Sequence, residues 1–474
     1  MTTALPGPAP DAPAPERGSA FLAALRAELP DLRLLTDPAE TERYRWDEME
    51  YMRPGLPLGV AFPRSTADVA AIVRCAAEHR VPLVPRGAGT GLSGGAIAAA
   101  DGLTVVMTEM ADVVELDVAN QCVRVQPGIL NAELGRRVAE HGLFYPPDPS
   151  SYAISTIGGN VAENAGGLRC VKYGVTRDYV LGLEVVLADG AVIRTGGKTV
   201  KDVMGYDLTG LFVGSEGTLG IVTEVTLRLV PAPAPTLTLL AFFPTVRAAA
   251  DAVAAVTRAG IVPSTLELMD RFTIGAVEAA LRLGLDPEAA AMLMIETDAG
   301  GAAAEAELDA AIAACAAAGA LHWMRAADPQ EADWLREARR RAHWALEQAG
   351  VARADDIGVP RSRIPELIDA IARISAAHAM PIGVFGHAGD GNLHPAFILA
   401  RDDPDAEARL ERVRTEIYAE VLALGGTIAG EHGTGAAKRG WLVAQRGADA
   451  VRAMRAIKDA FDPLGIMNPG KMLP

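Results

Sequence analysis

Two short segments in the second half of the chain carry residue types that could perform chemistry. Residues 386–394 read GHAGDGNLH and place two histidines across a tight Asp-Gly turn, so that both rings can point to the same side. Residues 430–435 read GEHGTG and add a carboxylate and a third imidazole on a glycine-flexed loop. Two histidines and one glutamate match a catalytic divalent-metal site with an open position. Spacing alone leaves a second interpretation open, in which the histidines only cap turns, and Asp390 and Asn392 suit the turn better than a metal.

An arginine cluster offers a different kind of contact. Arg339, Arg340 and Arg341 lie on a helix that we predict over residues 331–349. One interpretation is a solvated basic face. The other is a bidentate anchor for a substrate carboxylate, because the planar guanidinium matches the geometry of a carboxylate. Both interpretations stay open at the level of sequence.

The first half of the chain contains a glycine-rich loop that is suited to a diphosphate. Five glycines crowd into residues 87–95, and glycine lets successive backbone N–H groups face one concavity. Residues 89–94 also match the dinucleotide pattern GxGxxG, yet only residues 95–102 separate them from the next apolar run at 103–107. A Rossmann crossover needs at least about 10–12 residues, and a P-loop needs a lysine that this loop lacks. We therefore predict a strand, loop and strand that bind phosphate through backbone amides.

Two further glycine clusters follow in the same half. Residues 155–167 combine small residues with amide side chains, and residues 214–220 read GSEGTLG. A rigid turn at 146–151, PPDPSS, brings a carboxylate and hydroxyls to one place. One glycine loop is weak support for a binding site, but three in one half of the chain indicate one large, flat, phosphate-bearing cofactor.

Composition narrows the class of protein. The chain has 474 residues, enough for two or more domains, and its formal net charge of −16 argues against a nucleic-acid partner. The four cysteines form no CxxC pair, which argues against an iron–sulfur cluster, a zinc ribbon or a disulfide framework and favours a reducing compartment. No run approaches the roughly 18–20 apolar residues of a membrane span, and the first residues do not resemble a signal peptide. We expect a cytoplasmic protein, with peripheral attachment at the inner membrane face left open, and a disordered Pro/Ala leader over residues 1–20.

The elements that must position these residues fall into two halves. Residues 63–230 alternate short β-branched runs with amphipathic helices over 67–79 and 130–140, which indicates an α+β arrangement. A proline-rich stretch at 231–235 marks a boundary. Beyond it, a strand–helix–strand–strand–helix order is typical of a ferredoxin-like sandwich, with strands at 237–243, 265–269 and 292–297 and helices at 245–259 and 302–318. The predicted elements that follow are helices at 331–349, 364–378, 406–424 and 448–459 and a strand at 382–385.

Assembled, these motifs resemble the FAD-linked D-2-hydroxyacid oxidases and dehydrogenases, of the glycolate oxidase and D-lactate dehydrogenase type, within the vanillyl-alcohol oxidase superfamily. The resemblance extends from about Tyr44 to Pro474. The motifs that carry it are PRGxGTGLSGG from Pro85, PPDPS from Pro146, IGGN from Ile157, GYDL from Gly205, GSEGTLGI from Gly214, GHxGDGNLH from Gly386, GEHG from Gly430 and NPGK from Asn468.

The resemblance implies a fold and a cofactor. The implied fold is α+β, with a two-part PCMH-type FAD-binding domain at 21–232, a ferredoxin-like substrate or cap domain with an antiparallel sheet at 233–425, and a segment at 426–474 whose helices return to the FAD domain. Non-covalent FAD is expected, because covalent attachment in the superfamily uses a histidine and the loop at 81–96 contains none. The implied FAD contacts are Arg86, Gly87, Ala88, Gly89, Thr90, Gly91, Ser93, Asp148, Pro149, Ser150, Thr156, Gly159, Asn160, Asn164, Gly166, Gly167, Glu216, Gly217, Gly220 and Ile221.

The resemblance also implies a catalytic centre. A divalent metal, zinc, would lie on His387, His394 and Glu431. His432 would act as the catalytic base, and Arg339 would anchor the substrate carboxylate.

Two departures from the family pattern bear on the substrate. Members that oxidise 2-hydroxyglutarate carry an asparagine and a lysine where this chain has Ala396 and Ala354, so a second substrate carboxylate loses its polar partners. We therefore expect a short 2-hydroxyacid, glycolate or D-lactate, to be oxidised to the 2-oxo acid with hydride transfer to flavin N5.

Electron disposal needs a second partner. Without cluster-type cysteine spacing, the electrons must pass to an external acceptor such as oxygen, a quinone, a cytochrome or a separate iron–sulfur subunit. A homodimer is left open. The alternatives are a non-catalytic FAD-binding subunit of an electron-transfer complex and a non-redox flavoenzyme of the same superfamily, such as an alkyldihydroxyacetonephosphate synthase. The first should have lost the histidines and glutamate of the second half, and the second carries a histidine-rich tract where this chain reads GEHG.

Overall fold

A computed structural model describes residues 14–49 and 52–474 of the chain. The strands are β1 (Arg33–Leu35), β2 (Gly59–Phe62), β3 (Leu83–Arg86), β4 (Leu103–Val106), β5 (Val113–Asp117), β6 (Cys122–Val125), β7 (Leu143–Phe144), β8 (Val180–Val186), β9 (Val192–Gly196), β10 (Ile221–Arg228), β11 (Val230–Pro231), β12 (Leu237–Phe243), β13 (Thr265–Asp270), β14 (Ala291–Thr297), β15 (His322–Arg325), β16 (Val351–Ala354), β17 (Ile357–Gly358), β18 (Ile382–His387) and β19 (Asn392–Leu399). The helices are α1 (Ala14–Glu28), α2 (Pro38–Thr41), α3 (Thr66–His79), α4 (Asn131–Ala139), α5 (Ile157–Glu163), α6 (Cys170–Tyr173), α7 (Leu208–Phe212), α8 (Val246–Arg258), α9 (Arg271–Leu281), α10 (Gly301–Ala317), α11 (Pro329–Arg340), α12 (Ala342–Glu347), α13 (Ile364–His378), α14 (Ala406–Ala423), α15 (Leu442–Arg446) and α16 (Ala448–Phe461).

The first half contains two main sheets. The smaller has the order β1-β2-β4-β3, and its strands β2, β4 and β3 are parallel. The larger is antiparallel with the order β5-β6-β10-β8-β9. Between β3 and β4 the chain forms no helix, as we predicted when we rejected the Rossmann interpretation of this loop.

The predicted leader overlaps a helix. Residues 1–13 lie outside the described residues, but residues 14–20, which we expected to be disordered, form the start of α1. The reason is visible downstream, because Phe21 and Leu25 are fully buried in the same core as α3. A helix that buries two large side chains gains several kcal/mol of apolar burial, which offsets the entropy of ordering its first turns.

The second half is built on one sheet of strand order β15-β12-β14-β13-β18-β19-β16. Its first four strands, numbered along the chain, lie in the order 4-1-3-2 and pair antiparallel, which is the predicted ferredoxin-like arrangement. One helix was missed, since α9 interrupts the connection from β13 to β14. Side chains along β12 alternate between the two faces of this sheet. Leu239 and Ala241 face α8, α10, α13 and α14, whereas Leu240 and Phe242 face α9, α11 and α12.

The C-terminal segment returns to the first half, as the resemblance implied. Asn468 donates its side-chain N–H to the carbonyls of Gly95 and Glu216, and the Lys471 ammonium donates to the Ile97 carbonyl. Among the described residues, no helix is long and apolar enough to cross a bilayer.

Candidate functional site

A long cavity runs through the first half and ends against the 430–435 loop. Most of the residues predicted to hold the cofactor line it: Arg86, Gly87, Ala88, Gly89, Thr90, Gly91, Pro149, Ser150, Thr156, Gly159, Asn160, Gly166, Glu216, Gly217, Gly220 and Ile221. The predicted catalytic residue His432 and the predicted metal ligand Glu431 line the same cavity. The three glycine clusters, which are far apart in sequence, therefore face one space.

The glycines are needed because the walls approach closely. A Cβ atom on Gly87 would lie 2.2 Å from the Thr156 hydroxyl, and one on Gly89 would lie 1.9 Å from Nη2 of Arg86. Gly89 also has φ of +84°, a conformation that favours glycine. This cradle of backbone amides and small residues fits the diphosphate and flat ring of a dinucleotide.

Four predicted cofactor contacts lie behind the cavity wall instead. Ser93 is buried and donates to the Glu163 carboxylate, and Asn164 ends α5 in the left-handed conformation and accepts from the Arg177 backbone. The backbone of Asp148 packs against Gly167, whose N–H donates to the Cys170 sulfur. Ser93 and Asn164 thus hydrogen-bond groups of the protein itself, and contact of these four residues with FAD stays a prediction.

Glu163 is a cavity residue that the sequence analysis missed. Burial, reinforced by the neighbouring Glu216 carboxylate, raises the pKa of Glu163 well above its ordinary value. Phe212 and Val222 were missed as well, and no polar or glycine signal marks them as different from ordinary core residues.

The predicted metal ligands converge. His387 at the end of β18 and His394 on β19 lie on the same face of the sheet, and both Nε2 atoms are 3.3 Å from Oε1 of Glu431. One donor atom from each residue lies within 4.8 Å of the other two. Both histidines are buried, and a Cβ on Gly166 would lie 2.4 Å from Oε2 of Glu431, so the glutamate is packed against the glycine cluster of the first half. Two imidazoles and a carboxylate in this arrangement fit a divalent metal.

Charges around His387 compensate each other. Burial opposes protonation of His387, but the carboxylates of Glu267 and Glu431 outweigh it and raise the pKa of the imidazole well above its ordinary value. Burial would raise the pKa of Glu431, and the histidines reverse this and hold that pKa well below the ordinary value.

Arg339 is turned inward on α11. Its Nε donates to Oε2 of Glu267 at 2.5 Å, and its guanidinium carbon lies 4.8 Å from the centre of the Phe385 ring. Arg340 and Arg341 are exposed and pair with Glu337. The solvated basic face therefore describes those two arginines and not Arg339.

Asp356 holds the 430–432 segment in place. Its buried Oδ2 accepts the backbone N–H groups of Gly430, Glu431 and His432 at 2.8–2.9 Å. Burial would raise the pKa of Asp356, but electrostatic interactions with the His432 ring and with the Lys438 ammonium outweigh burial and lower that pKa. Asp356 was not among the predicted site residues. The pair Asp355-Asp356 directly precedes a buried strand, and this uncommon pattern could have indicated it.

His432 lies between the cavity and the metal ligands. Its ring stacks on that of His394 with a centroid distance of 5.3 Å and an interplanar angle of 9°. Burial is the main cause that lowers the pKa of His432, so the neutral imidazole, which can accept a proton, is favoured.

Comparison with known proteins gives a consistent result. The family model described as FAD linked oxidases, C-terminal domain, matches residues 232–472, and the FAD binding domain model matches residues 57–196. The chain is 47% identical over 418 residues to the glycolate oxidase subunit GlcD of Bacillus subtilis, covering 88% of this chain and 89% of that protein. It is 34% identical to a D-lactate dehydrogenase of Anaerostipes hadrus, covering 94% of this chain and 95% of that protein.

Solved structures share the fold at low identity. A p-cresol methylhydroxylase structure aligns with a TM-score of 0.80 at 16% identity, covering 96% of this chain and 97% of that chain. An alkyldihydroxyacetonephosphate synthase structure aligns with a TM-score of 0.74 at 19% identity, covering 99% and 87%. At these identities the likeness concerns the fold alone.

Proposed function

The chain belongs to the family of FAD-linked oxidases, and from that premise we propose that it oxidises a short D-2-hydroxyacid, glycolate or D-lactate, to the 2-oxo acid. The observation that carries the proposal is the convergence of His387, His394 and Glu431, with His432 stacked on His394, at a point where Glu431 and His432 line the cofactor cavity. The names of the relatives, a glycolate oxidase subunit and D-lactate dehydrogenases, support the same substrate class.

The protein's own residues supply binding and proton transfer. The Arg339 guanidinium would bind the substrate carboxylate, and the Nε2 atom of neutral His432 would accept the hydroxyl proton. When bound in the cavity, FAD would supply the hydride acceptor, and a divalent metal held by His387, His394 and Glu431 would supply a Lewis acid for the substrate hydroxyl. The stacked His394 ring and the Asp356 carboxylate fix the position of His432 from two sides.

Two alanines that pair in the sheet support a short substrate. Ala354 on β16 and Ala396 on β19 are direct cross-strand partners, and Ala396 is fully buried. Neither offers a hydrogen bond to a second carboxylate, whose unpaired burial would cost several kcal/mol. Short monocarboxylates are therefore favoured over 2-hydroxyglutarate.

The electrons pass to an external acceptor in this proposal. None of the four cysteines belongs to the group of potential metal ligands found among the described residues, so the structure offers no support for a cysteine-held iron–sulfur cluster there. A quinone acceptor would require peripheral attachment at the inner membrane face, whereas a soluble protein acceptor would not.

A non-catalytic subunit is not favoured. Such a subunit has no need of a buried base beside three convergent metal-ligand side chains, yet the chain maintains all four. The histidine-rich tract of the non-redox synthases is likewise replaced here by Gly430, Glu431, His432 and Gly433.

A dye-linked assay tests the substrate class. FAD-loaded protein is mixed with an artificial electron acceptor and with glycolate, D-lactate, L-lactate or D-2-hydroxyglutarate. We expect turnover with glycolate or D-lactate and little with the L-acid or the dicarboxylate. Preference for D-2-hydroxyglutarate would contradict the role given to the two alanines.

A further inference from the structure

One buried carboxylate contacts both a predicted metal ligand and the predicted substrate anchor. Glu267 lies in the middle of β13 with 1% of its surface exposed, on the sheet face that also carries His387 and His394. Its Oε1 is 2.6 Å from Nδ1 of His387, and its Oε2 accepts from Nε of Arg339 at 2.5 Å. Each oxygen thus serves a different residue of the proposed mechanism.

We propose that Glu267 is a positioning residue that fixes the metal ligand His387 and the substrate anchor Arg339 in one arrangement. This inference rests on the proposed function. It assigns to Glu267 no contact with substrate or cofactor, only the orientation of two residues that make such contacts.

The contact with His387 sets which ring nitrogen is available. With the Nδ1 proton directed at the Glu267 carboxylate, Nε2 is the nitrogen that faces Glu431 and His394, and it would bind the metal on losing its own proton. Partners of this kind orient metal-binding histidines, and their loss typically weakens metal affinity about 10–100-fold.

The contact with Arg339 determines which guanidinium nitrogens remain available to a substrate carboxylate. In the described part of the chain, the bond from Nε to Glu267 is the only side-chain hydrogen bond of Arg339, and the Phe385 ring covers one face of the guanidinium. The two terminal nitrogens therefore keep their donors for a carboxylate, in the parallel geometry that bidentate binding needs.

Charge compensation alone is the competing explanation, and the chain contains a matched control for it. Glu296 on the neighbouring strand β14 is 4% exposed and pairs with Arg336, one turn before Arg339 on the same helix, at 2.8 Å. This pair is also a buried carboxylate with an arginine, although the Arg336 side chain is 20% exposed, and among the described residues it contacts no histidine. If Glu267 only neutralised a buried arginine, Glu267→Gln and Glu296→Gln would behave alike.

Glutamine cannot serve both partners of Glu267. A carboxamide has one acceptor oxygen, whereas the Nδ1–H of His387 and the Nε–H of Arg339 both require one. In Glu267→Gln, either His387 changes its tautomer and turns a protonated Nε2 toward the metal site, or Arg339 is displaced.

The test measures zinc affinity and kinetics in parallel. FAD-loaded, chelator-stripped wild type, Glu267→Gln and Glu296→Gln are titrated with Zn²⁺ by calorimetry, and the KM for D-lactate is measured at saturating zinc. We expect Glu267→Gln to bind zinc about 10–100-fold more weakly and to show a raised KM beyond any change in kcat, because an anchor acts on both ground and transition states. Glu296→Gln should match wild type in both measurements, and flavin absorbance reports that each variant retains FAD.

The outcomes separate this inference from the proposed function. Wild-type zinc affinity in Glu267→Gln would overturn the inference and leave the proposed function intact. Failure of every hydroxyacid to reduce the wild-type flavin would overturn the proposed function, while the zinc titration would still decide whether Glu267 positions His387. Absence of zinc binding by the wild type would overturn both this inference and the proposed metal site. If Glu267→Gln loses FAD, the zinc titration is repeated with Glu267→Asp, which keeps the negative charge but has a shorter side chain. Weaker zinc binding by Glu267→Asp would support a positioning role, and unchanged zinc affinity would contradict it.

Discussion

At the scale of single residues, the pKa values of two neighbouring histidines are shifted in opposite directions. His432 lies in the same cluster as His387, yet burial lowers the pKa of His432, whereas carboxylates raise that of His387. The difference arises from contacts: His387 lies 2.6 and 3.3 Å from two glutamates, whereas His432 stacks on His394 and its Nε2 atom lies 3.7 Å from Oε1 of Glu431. Two imidazoles a few ångströms apart can thus take different roles.

Replacement of His432 tests its role as base. In His432→Ala, we expect FAD to stay bound while the rate of flavin reduction by D-lactate falls about 10²–10⁴-fold, because a general base contributes about that much. Stopped-flow absorbance under anaerobic conditions measures the rate. His378→Ala, which removes a remote imidazole that contacts Glu416 on the surface, should reduce at the wild-type rate. Undiminished reduction of His432→Ala would refute the assignment.

Residues with a motif around them could be predicted from sequence, and residues that act through others could not. His387, His394 and Glu431 were predicted as one set and meet in space, although their role as metal ligands stays a prediction. Glu267 stands in a run of apolar strand residues, TLELMD, without a motif of its own. Its position between two leucines was nevertheless a signal, because a charge at the buried centre of a strand is costly unless it is paired.

At the scale of elements, the cofactor cavity depends on how closely α5 approaches the loop between β6 and α4. A Cβ on Gly158 in α5 would lie 2.4 Å from Cβ and 3.0 Å from the carbonyl oxygen of Pro127, which are parts of the backbone and ring and cannot turn aside. Thr156 caps the helix and lines the cavity. Any displacement of α5 therefore changes the cavity wall.

Two glycine-to-alanine changes in helices test this dependence. Gly158→Ala should destabilise the protein by about 1–3 kcal/mol through overpacking and weaken FAD retention. Gly135→Ala in α4, where a Cβ meets open space, should instead stabilise by about 0.5–1 kcal/mol and leave FAD bound. Urea unfolding followed by fluorescence, together with flavin content, measures both effects. Equal behaviour of the two variants would mean that the close approach of α5 is unimportant.

Elements with clear periodicity were predicted well, and those with unfavourable residues were not. Helix α13 matches its prediction at both ends, whereas the predicted helix over 331–349 divides at Arg341 into α11 and α12. Strand β19 was missed because Pro395 stands in its middle, and proline normally argues against an interior strand. The glycine-rich sequence of α5 has low helix propensity, and its capping and packing determine its structure.

At the scale of the whole molecule, Glu216 ties the two halves together. Its carboxylate accepts the backbone N–H groups of Thr434 and Gly435, both at 2.8 Å. Burial raises the pKa of Glu216 from its ordinary value of 4.5 to about 7, and these hydrogen bonds oppose the shift only in part.

The raised pKa predicts a pH dependence of stability. Between pH 4.5 and about 7 the folded protein keeps a proton on Glu216 that the unfolded chain releases, so the free energy of unfolding falls as pH rises through this range. In Glu216→Gln this contribution is absent, and its unfolding free energy should depend less on pH over the same interval. Urea unfolding of FAD-loaded protein from pH 5 to pH 8 measures both curves. Parallel curves for the two proteins would contradict the raised pKa.

Reduction of the bound flavin tests the central claim most directly, because it joins the cavity of the first half to the histidine cluster of the second. FAD-loaded protein is mixed without oxygen with glycolate, D-lactate or L-lactate, before and after treatment with a chelator, and the absorbance of oxidised flavin is followed. We predict bleaching by D-lactate or glycolate but not by L-lactate, loss of bleaching after chelation, and recovery on addition of zinc. Absence of bleaching by glycolate and by every D-2-hydroxyacid would contradict the proposed oxidation. Bleaching that is insensitive to the chelator would contradict the role of a metal in that oxidation.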